Sequence, residues 1–220
     1  MATYVLVHGG DMSTDTWDRL AGREDYPPGG HLGARYWDGT APFLRARNHR
    51  VFAPALADES VGTLTGHIAQ VSSLIEENDL RGIILVGHSY GGMVITGLAD
   101  RMAGRLSRLV YLDAALPDPG QSLYDILEEG LAGSTGARPD LPEPAPPYVE
   151  KIAFDPARLR ALAKTYILCT KSEFAAVTRV AKAKILAAKE GWNYLEIESS
   201  HVPMADRPEE LYRLLLEAAG

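Results

Sequence analysis

The feature that most constrains this chain is the form of its apolar runs. Tyr4–Val7, Arg50–Ala53, Gly82–Val86, Leu109–Leu112 and Thr165–Cys169 are short and mostly continuous, and Tyr194–Ile197 is shorter and alternates. Continuous runs of this length read as strands buried on both faces, which means a parallel sheet covered by helices. The segments between them have helical spacing. Leu64, Ile68, Val71 and Leu74/Ile75 recur at steps of three and four, an apolar stripe along one helix. Met93–Met102 is small and apolar, as a buried helix is, and Phe174–Lys189 is rich in Ala, Lys and Val. Leu211, Leu214 and Leu215 give the last helix its core face, with Pro208 near its start, where proline is tolerated. Strand and helix in alternation predict an α/β fold with a mostly parallel sheet of about six strands and helices on both faces.

Two stretches break the alternation. Residues 11–40 are rich in Gly and Pro and hold Trp17, Tyr36 and Trp37. Residues 114–160 hold Pro117, Pro119 and the proline-rich run Pro139–Pro147. Such long connections often serve as lids. Neither is a domain boundary, because strands continue on both sides. The expectation is one domain over 1–220 with a small lid at 114–160, and with the three aromatics as candidate pocket walls.

Composition excludes several classes. Lys plus Arg total 22 against 29 Asp plus Glu, a formal charge of −7. An acidic surface repels phosphate backbones, so no nucleic-acid partner is expected. The single cysteine forms no internal disulfide and offers no thiol cluster for zinc. No apolar run approaches the roughly 20 residues that span a bilayer, so no membrane partner is expected. The opening Met1-Ala2-Thr3-Tyr4 has no basic stretch before an apolar core, so no signal peptide is read and a cytoplasmic setting is expected.

The chemistry centres on Gly87-His88-Ser89-Tyr90-Gly91. This G-x-S-x-G string follows a predicted strand and opens a predicted helix, the context in which a sharp turn holds a serine at the top of a sheet. Ser89 is the candidate nucleophile. A serine needs a base, and only His201 of the six histidines lies beyond it, after the last strand. His201 is the candidate base. His8, His31, His49 and His67 read as structural or surface groups, and His88 as a support of the turn. For the acid that orients His201, Asp113 ends the strand after the nucleophile helix, and Glu173 follows the next strand. Asp113 is preferred, with Glu173 the alternative, because a carboxylate at a helix start also suits the helix dipole. The oxyanion donors expected are the N–H of Tyr90, next to the nucleophile, and Gly10 in the His8-Gly9-Gly10 loop after the first strand.

Val5-Leu6-Val7-His8-Gly9-Gly10, Val86-Gly87-His88-Ser89-Tyr90-Gly91-Gly92-Met93 and Leu109-Val110-Tyr111-Leu112-Asp113-Ala114 resemble an α/β-hydrolase. The nearest likeness is to the small esterase and hydroxynitrile-lyase-like branch. The resemblance implies the α/β-hydrolase fold and a Ser–acid–His triad with no metal and no organic cofactor. The family's usual acid follows the strand that here ends at Cys169, which matches Glu173. Some lipases and dehalogenases carry it one strand earlier, where Asp113 stands. The lyases have Thr after the first His and Lys after the last, whereas this chain has Gly9 and Val202. The resemblance therefore implies hydrolysis of a small-molecule carboxylic ester, thioester or lactone through an acyl-enzyme. The alternatives are a receptor-like small-ligand-binding protein on the same fold, or a lyase.

Overall fold

The computed structural model describes residues 1–132, 144–188 and 191–218. Each apolar run becomes a strand: β1 (Thr3–Val7), β2 (Arg50–Phe52), β3 (Ile83–His88), β4 (Leu106–Leu112), β5 (Ala163–Cys169) and β6 (Trp192–Ile197). All are parallel, in the order β2-β1-β3-β4-β5-β6. Their continuous hydrophobicity has a direct cause. Ile83 and Leu85 face one core while Ile84 and Val86 face another, so neither side of β3 meets water. Each such side chain contributes about 1.5–3 kcal/mol on burial.

One face is covered by α1 (Thr14–Ala21), α2 (Thr40–Arg45) and, at the chain's end, α10 (Pro208–Glu217). The other carries α3 (Leu64–Glu77), α4 (Gly91–Met102), α5 (Leu123–Ala132) and α8 (Ala175–Ala188). Thr63 starts α3 by accepting the Gly66 N–H with its side chain, which satisfies one of the helix's orphan donors. Ten of the twelve residues of α4 are buried, which explains why Met93–Met102 is small and apolar. Lys189, the expected end of α8, lies outside the described residues.

The aromatics of residues 11–40 correct the expectation of pocket walls. Trp17 and Trp37 are only 4% and 1% exposed, packed with Leu32 and Tyr36 in the core beside α10. Burying large aromatic rings is strongly favourable, and this segment is folded onto the sheet. Of the three, Tyr36 reaches the loop after β1: its hydroxyl donates to the Gly10 carbonyl at 3.1 Å, and its ring stacks on His8 with 6.2 Å between centroids.

Between β4 and β5 lie α5, α6 (Pro146–Val149) and α7 (Pro156–Arg160), with α9 (Pro203–Asp206) following β6. Residues 133–143 of the expected lid, and with them most of the Pro139–Pro147 run, lie outside the described residues. Among the described residues no helix is long and apolar enough to cross a membrane.

Candidate active site

Only Ser89 and Tyr90 separate the end of β3 from the start of α4. Turning strand into helix in two residues forces Ser89 to φ +55°, the left-handed region that costs a non-glycine residue about 1–3 kcal/mol. Three bonds hold it there. The Ser89 N–H donates to the Leu112 carbonyl at 3.2 Å, and its own carbonyl accepts from Gly92 at 3.1 Å and Ala115 at 3.0 Å. The neighbouring loop must come very close. A Cβ added at Gly9 would stand 2.7 Å from Ser89 Cβ and 3.3 Å from Ser89 Oγ, so only glycine fits.

Ser89 Oγ lies 2.8 Å from His201 Nε2, and His201 Nδ1 lies 2.7 Å from Asp113 Oδ2. Asp113 is fully buried and also has a positive φ, +44°. Its N–H donates to Ile167 O at 2.8 Å, and its Oδ1 accepts from Cys169 N–H at 3.0 Å. The bend after β4 thus turns the carboxylate across the end of β5 toward His201. Glu173 is also brought to His201, but to its backbone: Glu173 Oε2 accepts the His201 N–H at 3.1 Å. Burial raises the Glu173 carboxyl, yet that N–H and its own backbone N–H outweigh it and leave the group below its usual range.

Sequence reasoning missed Ser172. Its hydroxyl donates to Asp113 Oδ2 and stands 3.5 Å from His201 Nδ1. Nothing marks a serine in a loop beyond its place between Cys169 and Glu173. The side chain acquires meaning only once β4 and β5 lie side by side.

The other histidines make contacts within the fold, and His8, His31 and His67 also line the cavity at the loop after β1. His8 Nε2 accepts the Leu56 N–H at 3.0 Å and its Nδ1–H donates to Gly9 O at 2.8 Å. His67 Nε2–H donates to Ala57 O at 3.1 Å and its Nδ1 accepts from the Tyr90 hydroxyl at 2.9 Å. Burial lowers the pKa of both, which suits rings that act once as donor and once as acceptor. His31 is exposed beside Asp11, and His49 accepts the Ala2 N–H. His88 Nε2–H donates to the His201 carbonyl at 2.8 Å, while its buried Nδ1 has no hydrogen-bond partner among the described residues. Complete burial, then the neighbouring His201, hold the His88 ring well below its ordinary pKa.

A cavity of about 700 Å³ opens against the loop after β1. Gly9, Gly10, Tyr90, Tyr148 and residues 55–60 line it. The Gly10 and Tyr90 N–H groups have no hydrogen-bond partner among the described residues, and Tyr90 caps the N-terminus of α4, where the helix dipole favours negative charge. The arrangement can transfer a proton from Ser89 to His201 and hold an anion beside Tyr90. Among the described residues no three His, Cys, Asp or Glu side chains cluster as a metal site.

Residues 4–214 match the family described as "Alpha/beta hydrolase family". Among curated proteins, a carbendazim hydrolyzing esterase of Nocardioides sp. (strain SG-4G) is 42% identical over 147 residues, 63% of this chain and 52% of that protein. Methylesterase 3 of Arabidopsis thaliana is 25% identical over 86% of this chain and 92% of its own length. The chain spans about half the length of the first of these relatives. Among solved structures, an extracellular alpha/beta-hydrolase from a Paenibacillus species superposes with a TM-score of 0.73 at 23% identity, covering 99% of both chains. Polyneuridine aldehyde esterase gives the same TM-score at 19% identity over all of both chains. At such identities the structures establish a shared fold.

Proposed function

We propose that this chain, which belongs to the alpha/beta hydrolase family, is a serine esterase that cleaves a small carboxylic ester through an acyl-enzyme. The observation that carries the reading is the unbroken relay Ser89 Oγ–His201 Nε2, His201 Nδ1–Asp113 Oδ2, at 2.8 and 2.7 Å. Ser89 attacks the acyl carbon as His201 takes its proton. The C–O bond then breaks, and His201 returns the proton to the departing alcohol. Water repeats the sequence on the acyl-enzyme, with His201 as base, and frees the acid and Ser89. Asp113 holds the ring and stabilises the imidazolium as it forms. Gly10 and Tyr90 donate their free N–H groups to the oxyanion. The segment between β4 and β5 acts as a small lid, supported by the contact of Tyr148 on α6 with Gly10. Ester cleavage is further supported by the names of the relatives, which include a carbendazim hydrolyzing esterase and several methylesterases.

The test is turnover of p-nitrophenyl acetate by wild type and Ser89→Ala, with EDTA present. A loss of about 10⁴–10⁶ in kcat is expected, together with labelling of wild-type Ser89 by a fluorophosphonate. Unchanged turnover in the variant rejects the serine mechanism. A folded wild type that is neither labelled nor active supports a binding protein instead.

A further inference from the structure

The cavity beside Gly10 is lined by three carboxylates that the relay does not use, Asp11, Asp58 and Glu59. Asp11 is taken up by His31, and Asp58 accepts from the N–H and hydroxyl of Ser60, which leaves Glu59. Residues 55–60, which form its far wall, are pinned rather than loose. The Leu56 N–H is held by His8, the Ala57 carbonyl by His67, and the Ala57 N–H by Gln70 Oε1 at 3.1 Å. Glu59 is therefore presented on a fixed frame. Its Oε2 accepts the Asp11 N–H at 3.0 Å and the Tyr148 hydroxyl. Its Oε1 has no hydrogen-bond partner, and the residue no ion pair, among the described residues.

Tyr148 links Glu59 to Gly10 and Tyr90, the residues proposed to hold the oxyanion. Its ring meets the Tyr90 ring edge-on, 5.1 Å between centroids, and a Cβ at Gly10 would overlap its hydroxyl. Burial, then the Glu59 carboxylate, push the Tyr148 phenol well above its usual pKa, so it remains a donor. Two basic side chains of the lining, His31 and Arg35, each have a neighbour. His31 pairs with Asp11, and the Arg35 guanidinium lies 5.6 Å from the centroid of the Tyr26 ring.

A carboxylate fixed by two donors, with one oxygen left for a ligand, rewards a donor and repels a second anion. We propose that Glu59 is the specificity-determining residue of this site. It accepts a hydrogen bond from a neutral or cationic nitrogen donor on the substrate, an amine or an N–H heterocycle, and disfavours esters that carry a carboxylate. This rests on the serine-esterase reading above.

Three acetate esters test it: those of 4-(aminomethyl)phenol, 4-(hydroxymethyl)phenol and 4-hydroxybenzoate, which are cationic, neutral and anionic. The readout is the cation-to-anion ratio of kcat/KM, each value normalised to that ester's hydroxide hydrolysis. The ratio cancels any effect common to the shared chemistry. Wild type should favour the cation at least about tenfold. Glu59→Gln should lower the ratio at least about threefold, and Glu59→Lys should lower it further. A ratio unchanged within about twofold across the three proteins overturns the proposal. Fluorophosphonate labelling separates the two readings: labelled Ser89 with an unchanged ratio sinks the role of Glu59 alone, and failure to label sinks the esterase reading with it. Protection from labelling in wild type gives a measurement that needs no variant. Benzylammonium should protect Ser89 at a concentration at least about tenfold below that of benzoate, and equal protection overturns the proposal.

Discussion

His88 Nε2 donates to the His201 carbonyl at 2.8 Å, with the two rings 4.7 Å apart between centroids. The residue before the proposed nucleophile thus holds the backbone of the proposed base. The bond joins the end of β3 to the loop after β6, two segments with no neighbouring strands in common.

His88→Ala should lower kcat about tenfold, the scale of one lost hydrogen bond of ~1–1.5 kcal/mol. His88→Gln places an amide N–H near the position of Nε2 and should recover most of that loss. Turnover of p-nitrophenyl acetate by the two variants reads the difference. Equal losses would assign the effect to packing.

Asp113→Asn preserves shape but removes the charge facing His201 Nδ1 and can impose the wrong tautomer. A fall of order 10⁴ in kcat is expected, as in the serine-protease template. Glu173 meets His201 at its backbone N–H and not at its ring, so Glu173→Gln should cost less than about tenfold. Both are read as kcat on protein shown to be folded by circular dichroism. The reverse ranking would transfer the orienting role to Glu173.

Stability should fall as the solution is acidified below about pH 6.5, the ordinary histidine value. His88 and His8 are buried with lowered pKa, so near pH 6 the unfolded chain binds protons that the folded chain does not. The stability these neutral rings contribute is complete above the unfolded value and shrinks as pH falls through the window below it. Each adds a slope of at most about 1.4 kcal/mol per pH unit. Urea midpoints at pH 7.5 and 5.5 measure this, and a higher midpoint at pH 5.5 would contradict it.

Gly130→Ala should destabilise the fold by about 1–3 kcal/mol. A Cβ there would overlap the Ala176 carbonyl, where α5 crosses the start of α8. Backbone cannot rotate aside as a side chain can. The readout is the shift in thermal midpoint, and a midpoint within 1 °C or so of wild type would show that the helices separate freely.

The six strands, the two-sided core and the serine at a strand-to-helix turn were legible in the residues themselves. Each depends on local pattern: continuous apolar runs, helical spacing, and glycines where backbone crowds. Ser89 and His201 could be picked out because their chain order matches the order of strand ends on one edge of the sheet. The preference for Asp113 over Glu173 rested on helix-dipole and strand-end arguments alone, and the contact itself was not legible. Both follow strand ends, and which side chain reaches the imidazole depends on a positive φ at Asp113 and on the register of β4 against β5. Ser172, the His88–His201 bond and the Glu59–Tyr148 contact were also hidden, since the partners lie 59, 113 and 89 positions apart. The tryptophans of residues 11–40 gave the opposite lesson: their chemistry suited a pocket, but their area belonged in the core. Periodicity and turn chemistry are properties of neighbours along the chain, so the sequence alone determined the strands, the helices α3, α4, α8 and α10, and the turn at Ser89, but not α1, α2 or the helices between β4 and β5. Hydrogen bonds between distant side chains are properties of neighbours in space, and only the folded chain decided those.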